Sequence, residues 1–165
     1  MSQTMLVRRL LDFLKSEFRN KWKEELFADN NNSKGGNKLR TYRLFKTQFY
    51  REEYLTDNNN FHRRKKYACL RLSCHRLAIE TGRFTNKELE DRICTKCKSK
   101  EVEDETHLLL KCEMYKDDRK LLFNVIKKFY SNFDVLKAEE KFMIIMSSLN
   151  DEIRKASVNY VYHCM

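Results

Sequence analysis

Apolar side chains return every three or four positions along the first 28 residues, at Leu11, Leu14, Phe18, Trp22 and Leu26. That spacing is the period of an amphipathic helix, and it predicts one over residues 1–28. The polar stretch "ADNNNSKGGNK", carrying Gly35 and Gly36, predicts a flexible linker over 29–38. Helical spacing resumes at Leu39, Tyr42, Phe45 and Phe49, and "TDNNN" at 56–60 ends it. A third helix is expected over 61–83, with Tyr67, Leu70, Cys74 and Leu77 as its apolar stripe and Gly82 as its C-terminal stop. Thr85 and Glu88 have capping-box spacing and would open a short helix toward residue 92. Beyond it, Tyr115, Leu122, Val125, Ile126 and Phe129 share a helical face. A break near 131–134 then precedes helices over about 138–148 and 151–163.

Composition sharpens this picture. The chain has no proline and three glycines in 165 residues, which suits long helices better than a sheet with many tight turns. The fold class expected is mainly α, a helical bundle with a small CCHC metal-binding module built from a short hairpin or knuckle plus a helix. The organisation expected is an N-terminal helix (1–28), a linker (29–38), a basic helical region (39–92), a metal module (93–115) and C-terminal helices (116–165).

Charge narrows the class of partner. Lys and Arg number 34 against 24 Asp and Glu, a formal net charge of +10. Such an excess favours a polyanion, nucleic acid before an anionic membrane surface. Arg8, Arg9 and Asp12 interrupt the apolar positions of "MSQTMLVRRLLDFL", so this is no signal peptide. No apolar run approaches the roughly 20 residues that cross a bilayer. An intracellular setting, nuclear or cytoplasmic, is therefore expected, with the six cysteines reduced. Close cysteine spacing in a reducing setting points to metal rather than disulfides.

Four residues within nineteen positions carry that chemistry. Cys94 and Cys97 form a C-x-x-C pair whose two intervening residues let both sulfurs turn inward. His107 and Cys112 supply the second pair. Five residues on a regular helix would set them about 140° apart, so the helix has to loosen or end between them. A helix starting near Asp104 fits, because Glu103, Asp104 and Glu105 complement its N-terminal dipole. Three sulfurs and one imidazole point to Zn2+ in a structural role, since four protein ligands leave no open position for an activated water. Lys96, Lys98, Lys100 and Lys111 surround the ligands and favour thiolate over thiol. The bland alternative is small buried cysteines beside a surface histidine. Cys69, Cys74 and Cys164 are assigned to helix packing, with His75 a minor competitor as ligand.

Directly after this module, Tyr115-Lys116-Asp117-Asp118 spells the tyrosine-x-Asp-Asp string of polymerase active sites. A polymerase needs that pair on a tight turn between apolar strands, with a further carboxylate to hold two metals. The flanks here read as helix and Arg119 and Lys120 follow at once, so no catalytic residue is assigned.

With these residues placed, the wider stretch resembles the cysteine-rich C-terminal region of reverse-transcriptase proteins of non-LTR, LINE-type retrotransposons. The resemblance rests on Leu70 to Phe84, on Arg92-x-Cys94-x-x-Cys97, and on Val102-Glu103-Asp104-Glu105 ahead of His107. It continues through Cys112, Tyr115 and Arg119 and covers about residues 39–125. Family members commonly have proline after the last cysteine, where this chain has Glu113; that loses a rigid turn but no ligand. The resemblance implies a zinc-stabilised accessory region acting beside a reverse-transcriptase polypeptide on its RNA template or DNA target.

Two functions follow as expectations. The first is non-catalytic binding of RNA or single-stranded DNA, with no membrane partner. One flank of the third helix would supply Arg64, Arg71 and His75, the other Lys65, Arg76 and Arg83, and the knuckle Lys96, Lys98 and Lys100. Tyr67, His75 and Phe84 could stack on unpaired bases if exposed, with core packing the favoured role for Tyr67. The alternative is a zinc-dependent protein-interaction module that docks a polymerase domain or a host factor.

Overall fold

A computed structural model describes residues 3–28, 39–56 and 60–165. The expected linker at 29–38 and the middle of the expected break at 56–60 lie outside the described residues. Among the described residues seven α-helices follow in order: α1 (Gln3–Phe27), α2 (Tyr42–Phe45), α3 (Phe61–Arg71), α4 (Ala78–Phe84), α5 (Lys116–Lys127), α6 (Ala138–Ser147) and α7 (Asp151–Cys164). A π-helical turn at His107–Lys111 stands between α4 and α5. Among the described residues the β structure is one antiparallel bridge, Ile93 with Val102. The fold is mainly α, as the patterning predicts.

Helix α7 is the centre of the core and packs against α3, α5 and α6. Asn150 caps it, its side chain accepting from the Glu152 and Ile153 amides. Ile153, Ser157, Val158, Tyr160, Val161 and Cys164 are buried along it, more than one face's worth, as suits a helix contacted from several sides. Leu122 and Ile126 of α5 and Phe142, Ile145 and Met146 of α6 complete that layer. Two buried tyrosines lock it with polar ends: Tyr67 donates to the Ile145 carbonyl at 2.9 Å and Tyr160 to the Leu108 carbonyl at 2.7 Å. Burial pushes the Tyr67 hydroxyl up to about 12. Leu108 and Leu109 of the π turn belong to this same core, so the cysteine-rich segment is stitched into the bundle.

Upstream of residue 92 the structure departs from the patterning. The single helix expected over 61–83 is two, because the chain turns sharply at Ser73, whose φ is 51°. That turn leaves Cys74 exposed while Tyr67, Leu70 and Leu77 stay buried. Of the helix expected over 39–55, α2 keeps one turn. Gly82 lies inside α4, not at its stop, and Thr85 to Glu88 form a turn and irregular backbone with no helix. The Arg92 side chain lies across Gly82 so closely that a Cβ there would fall 2.5 Å from the Arg92 Cγ. Arg92 is held by donating to the Ile79 carbonyl at 2.9 Å and the Lys87 carbonyl at 2.9 and 3.1 Å. Helix α1 is present, but Leu11, Leu14 and Phe18 are exposed. Toward its C-terminal end it engages other described residues: Leu26 is buried and Trp22 rests on the Phe49 ring, centroids 5.6 Å apart.

Candidate metal centre

Two local structures bring the four candidate ligands together. The first is a narrow hairpin: the Cys94 amide donates to the Glu101 carbonyl and the Glu103 amide to the Arg92 carbonyl, each at 2.9 Å. Lys100, at φ 56°, helps reverse the chain. The second begins where the Asp104 carboxylate accepts the His107 amide at 2.7 Å. From His107 the turn widens to π geometry, and the Cys112 amide donates to the His107 carbonyl at 2.8 Å. That five-residue closure is the loosening the spacing demands, since a π turn sets i and i+5 on the same side. The Cys112 carbonyl is fixed by Arg119 Nη1 at 2.9 Å.

As a result, Cys94 Sγ lies 3.9 Å from Cys112 Sγ, and Cys97 Sγ 3.4 Å from His107 Nε2. All four donor atoms fall within 4.8 Å of one another. Cys94, His107 and Cys112 are buried and Cys97 is half-buried. The group could hold a metal ion, and its expected members are those the structure assembles.

The electrostatics suit a cation. Glu101, which sequence reasoning passed over, accepts from His107 Nδ1 at 3.2 Å and so turns Nε2 toward the sulfurs. Its carboxyl sits below the usual range, first because of His107 and then because of Lys111. Burial pushes the Cys94 thiol up and the Cys112 thiol to about 11. The Ser99 hydroxyl and amide hold Cys97 down at about 6. A cation binding here at neutral pH would be met first by Cys97, the thiol held low, and would have to displace protons from the two buried thiols.

The expected nucleic-acid contacts divide between surface and interior. Lys65, Arg76, Lys96, Lys98 and Lys100 are exposed; Arg64 and Arg83 are half-buried, Arg83 lying 3.8 Å from Glu80. Arg71 and His75 are corrections, because both face inward. Arg71 pairs with Glu52 at 2.8 Å and lies 4.2 Å from the centre of the Phe45 ring. His75 Nε2 meets the Glu105 carboxylate at 2.8 Å, which removes it from stacking and from competing as a metal ligand. Tyr67 is buried, as favoured, and Phe84 is exposed. Of the cysteines assigned to packing, Cys164 is buried, Cys69 is half-buried and Cys74 is exposed.

Glu105 organises a buried polar knot that composition and spacing did not reveal. Arg40 bridges it, at 2.8 Å, to Glu80, and the Ser73 hydroxyl donates to it at 2.9 Å. Burial would raise the Glu105 carboxyl, but the His75 bond and the Arg40 charge outweigh it and hold the group at about 2. The knot ties the Ser73 turn and Arg40 to the residues just ahead of the π turn. A run of four acidic positions from 101 to 105 was its one trace in the sequence. Asp117 and Asp118 lie exposed in the first turn of α5, where Asp117 pairs with Lys120 at 2.9 Å.

No helix among the described residues is long and apolar enough to cross a membrane. Comparison with known proteins finds no matching family model, no matching curated protein and no matching solved structure.

Proposed function

We propose that this chain is a zinc-stabilised nucleic-acid-binding accessory module of non-LTR retrotransposon type, without catalysis of its own. The observation that carries the reading is the convergence of three sulfurs and one imidazole nitrogen. Around a tetrahedral zinc with ordinary bond lengths, sulfurs stand about 3.8 Å apart and a sulfur and a nitrogen about 3.6 Å. The separations of 3.9 and 3.4 Å match that figure, so the side chains need little movement to close on the ion. Soft thiolates with imidazole favour zinc over magnesium or calcium, and a filled tetrahedron makes the role structural. Bound zinc would clamp the hairpin to the π turn and so fix the lysines of the hairpin tip beside α3.

The basic surface supports the nucleic-acid half of the reading. Lys65, Lys66, Arg76 and Lys96 border one cleft, and Lys98 and Lys100 extend the positive field along the hairpin. Phosphate contacts would dominate such binding and make it fall steeply with salt. The order of Arg92, Cys94, Cys97, His107 and Cys112 is that of the retrotransposon region the sequence resembles.

The test is a salt titration of RNA binding by zinc-loaded protein. Replacing Arg76, Lys96 and Lys98 with alanine is expected to reduce the logarithmic salt slope by about 2. An absence of affinity at low salt, with a protein co-purifying instead, would favour protein docking. The exposed apolar residues of α1, Phe13 and Phe18 among them, are what speaks for that second reading.

A further inference from the structure

Between α3 and the hairpin lies a cleft of about 340 Å³ whose chemistry is divided. Lys65, Lys66, Arg76 and Lys96 stand around it, and Cys69 and Leu77 give it an apolar floor. Among the described residues no Asp or Glu side chain lines it, and Met165, with the terminal carboxylate, borders it as well. The neighbouring cleft shares Arg76 and Lys96 but has Asp91 and Glu103 in its wall. Acidic side chains thus stand on one side of the Arg76–Lys96 ridge, and the cationic side chains outnumber the one terminal carboxylate on the other.

We propose that this cleft seats one unpaired nucleotide of a nucleic-acid strand, its base on the apolar floor and its phosphate on the cationic rim. The inference rests on the nucleic-acid reading above and goes past it to a defined site. Size supports it, because the volume is near the lower end for small-ligand pockets and suits one nucleotide. Preorganisation supports it too. The Lys66 ammonium is steadied by the Tyr162 carbonyl at 3.4 Å and lies 5.0 Å from the Tyr162 ring centre. The Lys96 ammonium is placed between Glu103, at 3.6 Å, and the Tyr115 ring, at 5.5 Å. Behind the cleft, the inward-facing His75 ring is clamped by Glu105 at 2.8 Å, which holds the chain at that point in place. A duplex keeps its bases stacked inside and offers only phosphates, so it cannot fill the floor.

Cys74 supplies the readout, since it lines the cleft and is exposed, whereas the metal-site thiols are engaged by zinc and Cys164 is buried. The experiment follows maleimide labelling of Cys74, mapped by mass spectrometry, on zinc-loaded full-length protein. The probes are a single-stranded 12-mer RNA, the same RNA as a duplex, and adenosine 5′-monophosphate. At saturation the single strand is expected to slow labelling at least tenfold, with adenosine monophosphate protecting weakly and the duplex hardly at all. Lys65→Glu and Arg76→Glu, both at exposed positions, should abolish that protection. Lys98→Glu and Lys100→Glu should weaken binding yet leave protection intact at saturation. If the single strand binds while Cys74 labels at its free rate, the cleft is overturned and the nucleic-acid reading stands. Equal protection by duplex, or protection by adenosine monophosphate without the strand, also overturns it. Failure of every RNA to bind removes the broader reading and the cleft with it.

Discussion

Two residues test how the site and its support are built. Glu101 touches no candidate sulfur, yet it fixes the tautomer and direction of His107 through the 3.2 Å bond to Nδ1. Partners of this kind typically contribute 10–100-fold in metal affinity. Glu101→Gln is therefore expected to weaken zinc binding by about tenfold or more in a chelator competition while leaving the helical circular-dichroism signal unchanged; full affinity would deny Glu101 the role. Gly82 sets two effects against each other. Alanine in a helix gains about 1 kcal/mol over glycine, but overpacking typically costs 1–3 kcal/mol. The clash here is with the middle of a side chain whose guanidinium is tied to two carbonyls, so Arg92 has little freedom to withdraw. Gly82→Ala is expected to destabilise the protein by about 1 kcal/mol net, read by urea unfolding; a stabilised variant would mean that Arg92 yields freely.

Among the elements, those after residue 110 were legible in the sequence and several before it were not. Helices α6 and α7 fall within a residue of the expected spans, and α5 carries Leu122, Val125 and Ile126 of the expected face, because the apolar faces and the break at 131–134 agree there. The long helix expected over 61–83 failed because periodicity cannot see the knot around Glu105. Ser73 and His75 must both turn toward that carboxylate, and the left-handed backbone at Ser73 lets them do so. The same knot explains the loss of His75 as a surface residue. Arg71 was lost to the surface for a related reason, since its partner Glu52 comes from a separate segment. The candidate ligands were legible because spacing alone encodes them; the π turn that satisfies the spacing was required but not specified. Helix α1 shows the opposite case, a clear pattern in which Trp22 and Leu26 are engaged while Leu11, Leu14 and Phe18 stay exposed. Leu11→Ser with Phe18→Ser is expected to change unfolding free energy by no more than about 0.5 kcal/mol, since both sites are exposed. A loss of 2 kcal/mol or more in thermal or urea melts would show that this face is covered in solution.

At the scale of the whole molecule, the Glu105 carboxylate adds a charged tie to the apolar packing that seats the candidate metal module, and acid is the means to release that tie. Glu105 is held at about 2 against an ordinary 4.5, so the folded state binds its proton more weakly than the unfolded chain does. The stabilisation is therefore fully present above about pH 4.5 and is lost as pH falls toward 2. A shift of that size corresponds to something on the order of 3 kcal/mol, a large part of the stability of an ordinary domain. A metal held at the candidate site would complicate a simple acid titration, because protons would also compete for the cysteines and histidine. Comparing the native chain with Glu105→Gln isolates the knot, since both would lose metal by the same competition. The gap in their urea-unfolding free energies should stay constant from pH 8 to 5, then narrow as pH drops to the lowest value at which both still fold. High salt should leave the plateau nearly untouched, because Glu105 is 1% exposed and its partners are screened little by solvent ions. A gap that keeps its full size through this window would mean that Glu105 stabilises by packing alone, and that charge does not hold the module to the bundle.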